Sequence, residues 1–588
     1  MKENLMTWDL SPLYPDADAW EKDFALLEGK AKAFYAHKGH LAESAATLKS
    51  AIEASDEFDR LAEKLYTYAH LLSDENTSIS QNRSRVDRIS AKAAELSEFD
   101  SWFEPEIMSI DDKRMQELLD DPQLAFYRRS LEELLREKKH ILSEKEELLL
   151  GTLGDVLGAS DEVFSTLNDT DMEFGKLRNS AGVITPLTHG SWGSFMEEPD
   201  RNVRKKAFHK LYKQYRQYRN TLAATLDSTV KRHVTMAKIR HFDSALDAAL
   251  FSENIPAEIY SNLISAVHNN LPDLQNYFKL RSRILNVNDL DMYDLYAPLI
   301  PECEQNCSFD EASDMVKKAL LPLGDEYCSL LENAWLERWI DAPCRKGKRS
   351  GAYSGGCYDS FPYVLMSFDG KLSDAFTLAH ELGHSMHSAF SRRNQHYHYA
   401  SYEIFVAEVA STCNELLLSD YLLKKQDDPK LKAANYTRLA DDIRATVFRQ
   451  TMFAEFEKII HEDSAQGIPL TADHLCERYY DLNSLYHSFI DADKDIELEW
   501  SRIPHFYYNF YVYKYATGMA AALKLSRDII NNKSGAKERY LNFLKAGGSK
   551  DVLDILKDAG VDLTTPAPVN DALIFFRDTV NNLQALLG

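Results

Sequence analysis

The sequence predicts a mostly α-helical protein, on three observations. Gly and Pro number only 23 and 18 in 588 residues, too few breakers for an all-β fold with many tight turns. Apolar residues recur at alternating spacings of three and four, the stripe of an amphipathic helix. Strand-like composition is confined to one stretch, Gly347 to Gly370.

Taken in order, Phe58, Leu61, Leu65, Tyr68 and Leu72 form one helical stripe, and Val86, Ile89, Ala93 and Leu96 form the next. The charge-rich run Arg136 to Glu147 reads as a solvated helix face. Ser143 with Glu146, ahead of Leu148 to Leu150, has the spacing of a capping box. Pro186, Gly190, Gly193 and Pro199 mark a boundary between a helical N-terminal region, 1–195, and a second helical region, 196–588. Asp200 is placed to cap a helix carrying Val203, Ala207, Phe208 and Leu211 on one face. Pro362 to Phe368 reads as a short strand, Asp369-Gly370 as a turn, and Ser373 as the cap of a new helix.

Charge and cysteine usage exclude several classes. Lys plus Arg make 68 against 92 Asp plus Glu, a formal charge of −24. A nucleic-acid binder needs clustered cations, so none is expected. No run of 18 apolar residues occurs, so no transmembrane helix or membrane partner is expected. The opening MKENLMTWDLSPLYP has no apolar core of a secretory signal. Seven scattered cysteines form no disulfide framework and suit a cytoplasmic protein. Cys303 and Cys307 are four apart, but no matching pair follows, and both read as structural.

The chemistry lies in His380-Glu381-Leu382-Gly383-His384. On a helix, residues four apart project from one face. Two imidazoles so placed can share a Zn²⁺ ion, which accepts nitrogen and oxygen ligands in a tetrahedron. Glu381 then sits where it reaches a water rather than the metal. A catalytic zinc needs a third protein ligand and an open fourth position. His387 is one candidate, three residues past His384. The segment Ser401 to Asp420 reads as a following helix and offers Glu403, Glu408 and Glu415. Glu408, set among Phe405, Ala407 and Val409, is the preferred ligand, because a free carboxylate in an apolar setting is costly. Glu415 is a candidate acceptor for a ligand histidine's second nitrogen.

Residues 380–388 followed by 403–412 resemble the oligoendopeptidase F branch of the thimet oligopeptidase (M3) family. Thr7-Trp8-Asp9-Leu10, Asp200 to Phe208, and Gly347 to Ser354 are similar to other stretches of that family. The resemblance implies two helical halves around a deep cleft, with a small β element next to the HExxH helix, of the gluzincin type. It places the zinc metallopeptidase region in residues 196–588 and the third ligand at Glu408. One Zn²⁺ per chain and short unstructured peptides as substrates are implied. In thermolysin-like enzymes an acid follows the third ligand by four; here Thr412 stands there. The family uses a His and tyrosines further on to hold the tetrahedral intermediate, which points to His505, Tyr508 and Tyr515 in an aromatic run expected to be one helix.

These readings converge on a zinc-dependent oligoendopeptidase with Glu381 as general base. The strand near Tyr353 to Gly356 is expected to pair with the substrate backbone. A zinc carboxypeptidase or dipeptidyl carboxypeptidase is the enzyme rival, with Arg349 or Arg502 to grip a free C-terminus. A helical interaction protein with a structural zinc is the non-enzyme rival, though such sites are usually closed by cysteines and none falls in the motif. The sequence leaves the oligomeric state open.

Overall fold

A computed structural model describes residues 7–300 and 306–587. They are mostly helical, with two small sheets, as expected. No helix among them is long and apolar enough to cross a membrane. The chain forms two compact units, each assembled from three stretches. One takes Met1–Lys139, Glu304–Tyr421 and Leu525–Gly560; the other takes His140–Cys303, Leu422–Lys524 and Val561–Gly588. The linear division at residue 195/196 does not coincide with these units.

In the first unit the helices Ala45–Glu75 and Ser80–Leu96 follow the two apolar stripes. Phe58, Leu65 and Tyr68 of the first and Ile89 and Leu96 of the second are buried in one core. That core also takes Trp8, Leu10, Leu13 and Tyr14 from the N-terminal opening, and Tyr363 and Leu365. Asp9 fixes the opening further: its N–H donates to Arg338 O at 2.8 Å, and its carbonyl accepts from Tyr363 Oη at 2.8 Å.

Tyr363–Phe368 is the central strand of a three-stranded sheet. Ile340–Pro343 pairs with it in parallel and Tyr353–Gly355 antiparallel, with Ser354 opposite Val364. Tyr353–Gly355 is therefore an edge strand. The loop leading to it is pinned by a buried ion pair: Lys348 Nζ donates to Asp341 Oδ1 at 2.6 Å, and both side chains are at most 1% exposed. Arg345 also donates to Asp341, and Arg349 donates to the buried Asp74 of the long helix.

The motif helix, Leu372–Asn394, follows the sheet. The Asp369-Gly370 turn forms, with Gly370 at φ 88°. Ser373, however, is not the cap. Asp374 Oδ2 accepts the N–H groups of Asp369 and Lys371, both at 2.9 Å, so a carboxylate in the first turn satisfies the free donors instead. Ser385 ties the helix to the sheet, donating to Pro362 O at 3.2 Å and meeting Ser354 Oγ at 2.8 Å.

In the second unit the helix Arg201–Ile239 starts at Asp200, whose Oδ1 accepts from Asn202 N at 2.8 Å. Val203, Ala207, Phe208 and Leu211 are buried as expected. Ser143 and Glu146 form the expected capping box. The Pro- and Gly-rich stretch is more ordered than its composition indicates. It holds half of a hairpin, Lys176–Arg178 with Ile184–Pro186, and a helix, His189–Met196, capped by Thr188. Cys303 lies outside the described residues; Cys307 is a buried free thiol.

Removing the buried carboxylate at Asp341 strands the Lys348 ammonium without its partner. Asp341→Ala should cost about 3–5 kcal/mol, read as an earlier unfolding midpoint in denaturant, and Asp341→Ala/Lys348→Met should recover part of the loss. Equal midpoints for wild type and Asp341→Ala would contradict this role.

Candidate active site

The motif helix is crossed by the helix Ile404–Lys425, and the residues at the crossing explain how close the two run. Gly383 has no side chain. A Cβ there would stand 2.4 Å from Ser411 Cα and 2.7 Å from Ala410 O, so only glycine permits this approach. Asn414, fully buried, donates its amide to Ala379 O at 3.1 Å and accepts from Tyr327 Oη at 3.0 Å. Ala379 precedes the first histidine, so this bond fixes the rotation of the helix where the donors leave it.

His380, His384 and Glu408 are thereby brought together. His380 Nε2 lies 3.1 Å from His384 Nε2 and 3.3 Å from Glu408 Oε2, and His384 Nε2 lies 3.5 Å from Glu408 Oε2. Tetrahedral ligands about 2.0–2.1 Å from zinc stand about 3.3–3.4 Å apart. The three donors therefore form one face of a zinc-sized tetrahedron.

The surroundings prepare the donors. His380 Nδ1 is 2.6 Å from Glu415 Oε1, which keeps the proton on that nitrogen and leaves Nε2 as the donor. The ring of His384 is held by the backbone of Ala407. Ser411 Oγ donates to Glu408 Oε2 at 3.2 Å. Burial pulls the His380 pKa down, but Glu408 and Glu415 outweigh it and lift it to about 10. Three carboxylates thus surround two imidazoles, a negatively charged set that suits a divalent cation.

Glu381 is 7% exposed, and burial pushes its carboxyl up to about 7, against the opposing pull of His380. A hydrogen bond from the backbone of the edge-strand residue Ser354 reaches it.

Three expectations need correction. Glu408 is 46% exposed, so desolvation does not single it out; its place one turn before Ser411, whose backbone packs on Gly383, does. The helix begins at Ile404, leaving Glu403 outside it. His387 turns away from the donor set. It is buried, stacks on Tyr402 at 3.7 Å and 8°, and burial holds its pKa near 3.

In the second unit the aromatic run is not one helix. Pro504–Tyr507 is a single 3-10 turn, Asn509 and Phe510 adopt φ of 50° and 61°, and the α-helix starts at Tyr513. Tyr508 and Tyr515 therefore do not share a helical face. The bend nevertheless gathers rings around His505, whose centroid lies 5.6 Å from Tyr508, 6.3 Å from Tyr511 and 5.8 Å from Tyr515. His505 Nε2 is 3.3 Å from Tyr515 Oη. Glu457 holds the bend, accepting the N–H of Phe510 at 2.6 Å. The sequence does not flag this residue, because its partner is a backbone group with no signature. Tyr513 faces elsewhere, buried against Tyr260 at 5.2 Å.

Helical halves built this way, with an HExxH helix beside a small sheet, define a peptidase. The chain belongs to peptidase family M3. Residues 194–574 match Peptidase family M3, and residues 106–174 match Oligopeptidase F. Oligopeptidase PepF of Bacillus subtilis is 43% identical over 99% of this chain and 87% of its own length. Group B oligopeptidase PepB of Streptococcus agalactiae is 39% identical over 100% of this chain and 98% of its own. The crystal structure of oligoendopeptidase-F from Enterococcus faecium, 36% identical, covers 97% of this chain and 99% of its own with a TM-score of 0.74.

The helix crossing gives a direct test. Gly383→Ala must push Ser411 back and with it Glu408, so zinc retained after dialysis against a weak chelator should fall well below one per chain. Glu415→Ala should lower zinc affinity about 10–100-fold, less than Glu408→Ala does. Full zinc retention in Glu408→Ala would contradict its place as the third ligand.

Proposed function

We propose that this chain is a zinc-dependent oligoendopeptidase that hydrolyses internal bonds of short unstructured peptides. The observation that carries the reading is the donor triangle of His380, His384 and Glu408 with Glu381 beside it. His380, His384 and Glu408 hold one Zn²⁺. Bound zinc supplies a Lewis acid for the scissile carbonyl and makes a nearby water more acidic.

The remaining work falls to the chain's own groups. Glu381, whose carboxyl is raised by burial, accepts a proton from the attacking water and delivers it to the leaving amine. Its bond from the Ser354 backbone keeps it oriented. The outer edge of Tyr353–Gly355 accepts an extended peptide as an added strand through main-chain bonds, which suits broad sequence tolerance. On the family resemblance, His505, Tyr508 and Tyr515 are assigned as donors to the oxyanion of the tetrahedral intermediate. Free thiols suit a reducing compartment, and a cytoplasmic location belongs to the proposal.

The exopeptidase reading has less support. Arg349 is engaged by Asp74 at 3.2 Å, and Arg502 by Glu499 at 2.6 Å and Tyr212. A quenched peptide blocked at both ends should be cleaved by the zinc-loaded protein, whereas an exopeptidase leaves it intact. Chelation should abolish that cleavage and zinc restore it.

Glu381→Gln should keep about one zinc per chain while kcat falls on the order of 10²-fold or more. Near-normal turnover in this variant would remove Glu381 from the base role. Tyr508→Phe and Tyr515→Phe should each lower kcat roughly 10²-fold with little change in KM. Tyr513→Phe should be near silent. A large effect confined to Tyr513→Phe would move the oxyanion donors to the other side of the bend.

A further inference from the structure

In the second unit a cavity of about 20 Å³ opens among Arg444, Arg449, Arg502, Tyr212, Tyr296 and Trp192. That is room for one water-sized or halide-sized occupant. Arg449 Nη2 and Arg502 Nη2 both donate to one carboxylate oxygen, Glu499 Oε1, at 2.5 and 2.6 Å. Arg444 Nε donates to Asp441 at 3.2 Å, a carboxylate already shared with the buried Arg281. The other guanidinium nitrogens are left over. Among the described residues, both Nη of Arg444, Nη1 of Arg502, and Nε and Nη1 of Arg449 have no hydrogen-bond partner.

The wall thus sets three guanidiniums against Glu499, with Asp441 behind Arg444 shared with a fourth cation, Arg281, in a chain whose formal charge is −24. His487, also in the wall, does not add to the charge, since burial holds its pKa near 4. The potential in the cavity is therefore positive. Guanidinium charge withdrawn from water is costly unless an anion pairs with it.

We infer that this cavity binds one halide-sized monovalent anion through the unpartnered N–H groups of Arg444, Arg449 and Arg502. The inference does not depend on the peptidase reading. Only an occupant that fits the cavity qualifies, which separates chloride and bromide from a bulky anion such as gluconate.

The test is thermal unfolding of the full-length protein at constant ionic strength. Replacing gluconate with chloride or bromide should leave Tm almost unchanged below a single Kd and raise it with the logarithm of halide concentration above that Kd. Arg444→Gln should lose this halide-specific rise while remaining folded, because Asp441 keeps Arg281. As a measurement that needs no variant, crystals of the wild-type protein grown in bromide should show an anomalous peak between the three guanidiniums. An equal Tm in gluconate, an unchanged halide response in Arg444→Gln, or a cavity without bromide would each overturn the inference.

Discussion

At Gly383 the motif helix presents bare backbone, and the backbone of Ser411 fills the space a side chain would take. The rest of the site depends on this contact. A methyl group there would separate the helices by more than the tolerance of a metal's coordination shell, where donor distances vary by about 0.2 Å. The same close crossing lets Asn414 reach Ala379 and Glu415 reach His380. Both polar links are thus set by one absent side chain.

The sheet contributes the second constraint. Its central strand is buried, and its edge strand is anchored by Lys348 with Asp341 and by Tyr353 Oη with Asp74 at 2.9 Å. Ser354 lies on this strand and meets both Glu381 and Ser385. Glu381 and the sheet edge are therefore positioned by one segment, so a shift of the loop before Tyr353 is felt at Glu381. The Trp8 and Tyr14 opening packs on the same strands, which gives the distant N-terminal match a structural role.

Much of this was legible in the residues, for identifiable reasons. His380 and His384 follow from the helical period, and Glu381 follows from them. The stripes through Phe58 and Ile89 were legible because one face of each helix is apolar. Glu408 was found by an argument from burial that its exposure does not support; the close crossing at Gly383 is a tertiary fact with no local signal. The bend at Asn509 and Phe510 was missed because no glycine marks it and Glu457 holds it from another helix. Linear order also hid the units: Leu525–Gly560 joins the motif helix through contacts such as Phe543 with His387, 5.0 Å between ring centroids.

The central claim is that two imidazoles and one carboxylate form an open zinc face. X-ray absorption at the zinc edge of the zinc-loaded protein tests it most directly. The account predicts two imidazoles and the remaining donors oxygen, at about 2.0–2.2 Å, with no sulfur. A third imidazole, or sulfur scattering at about 2.3 Å, would contradict it.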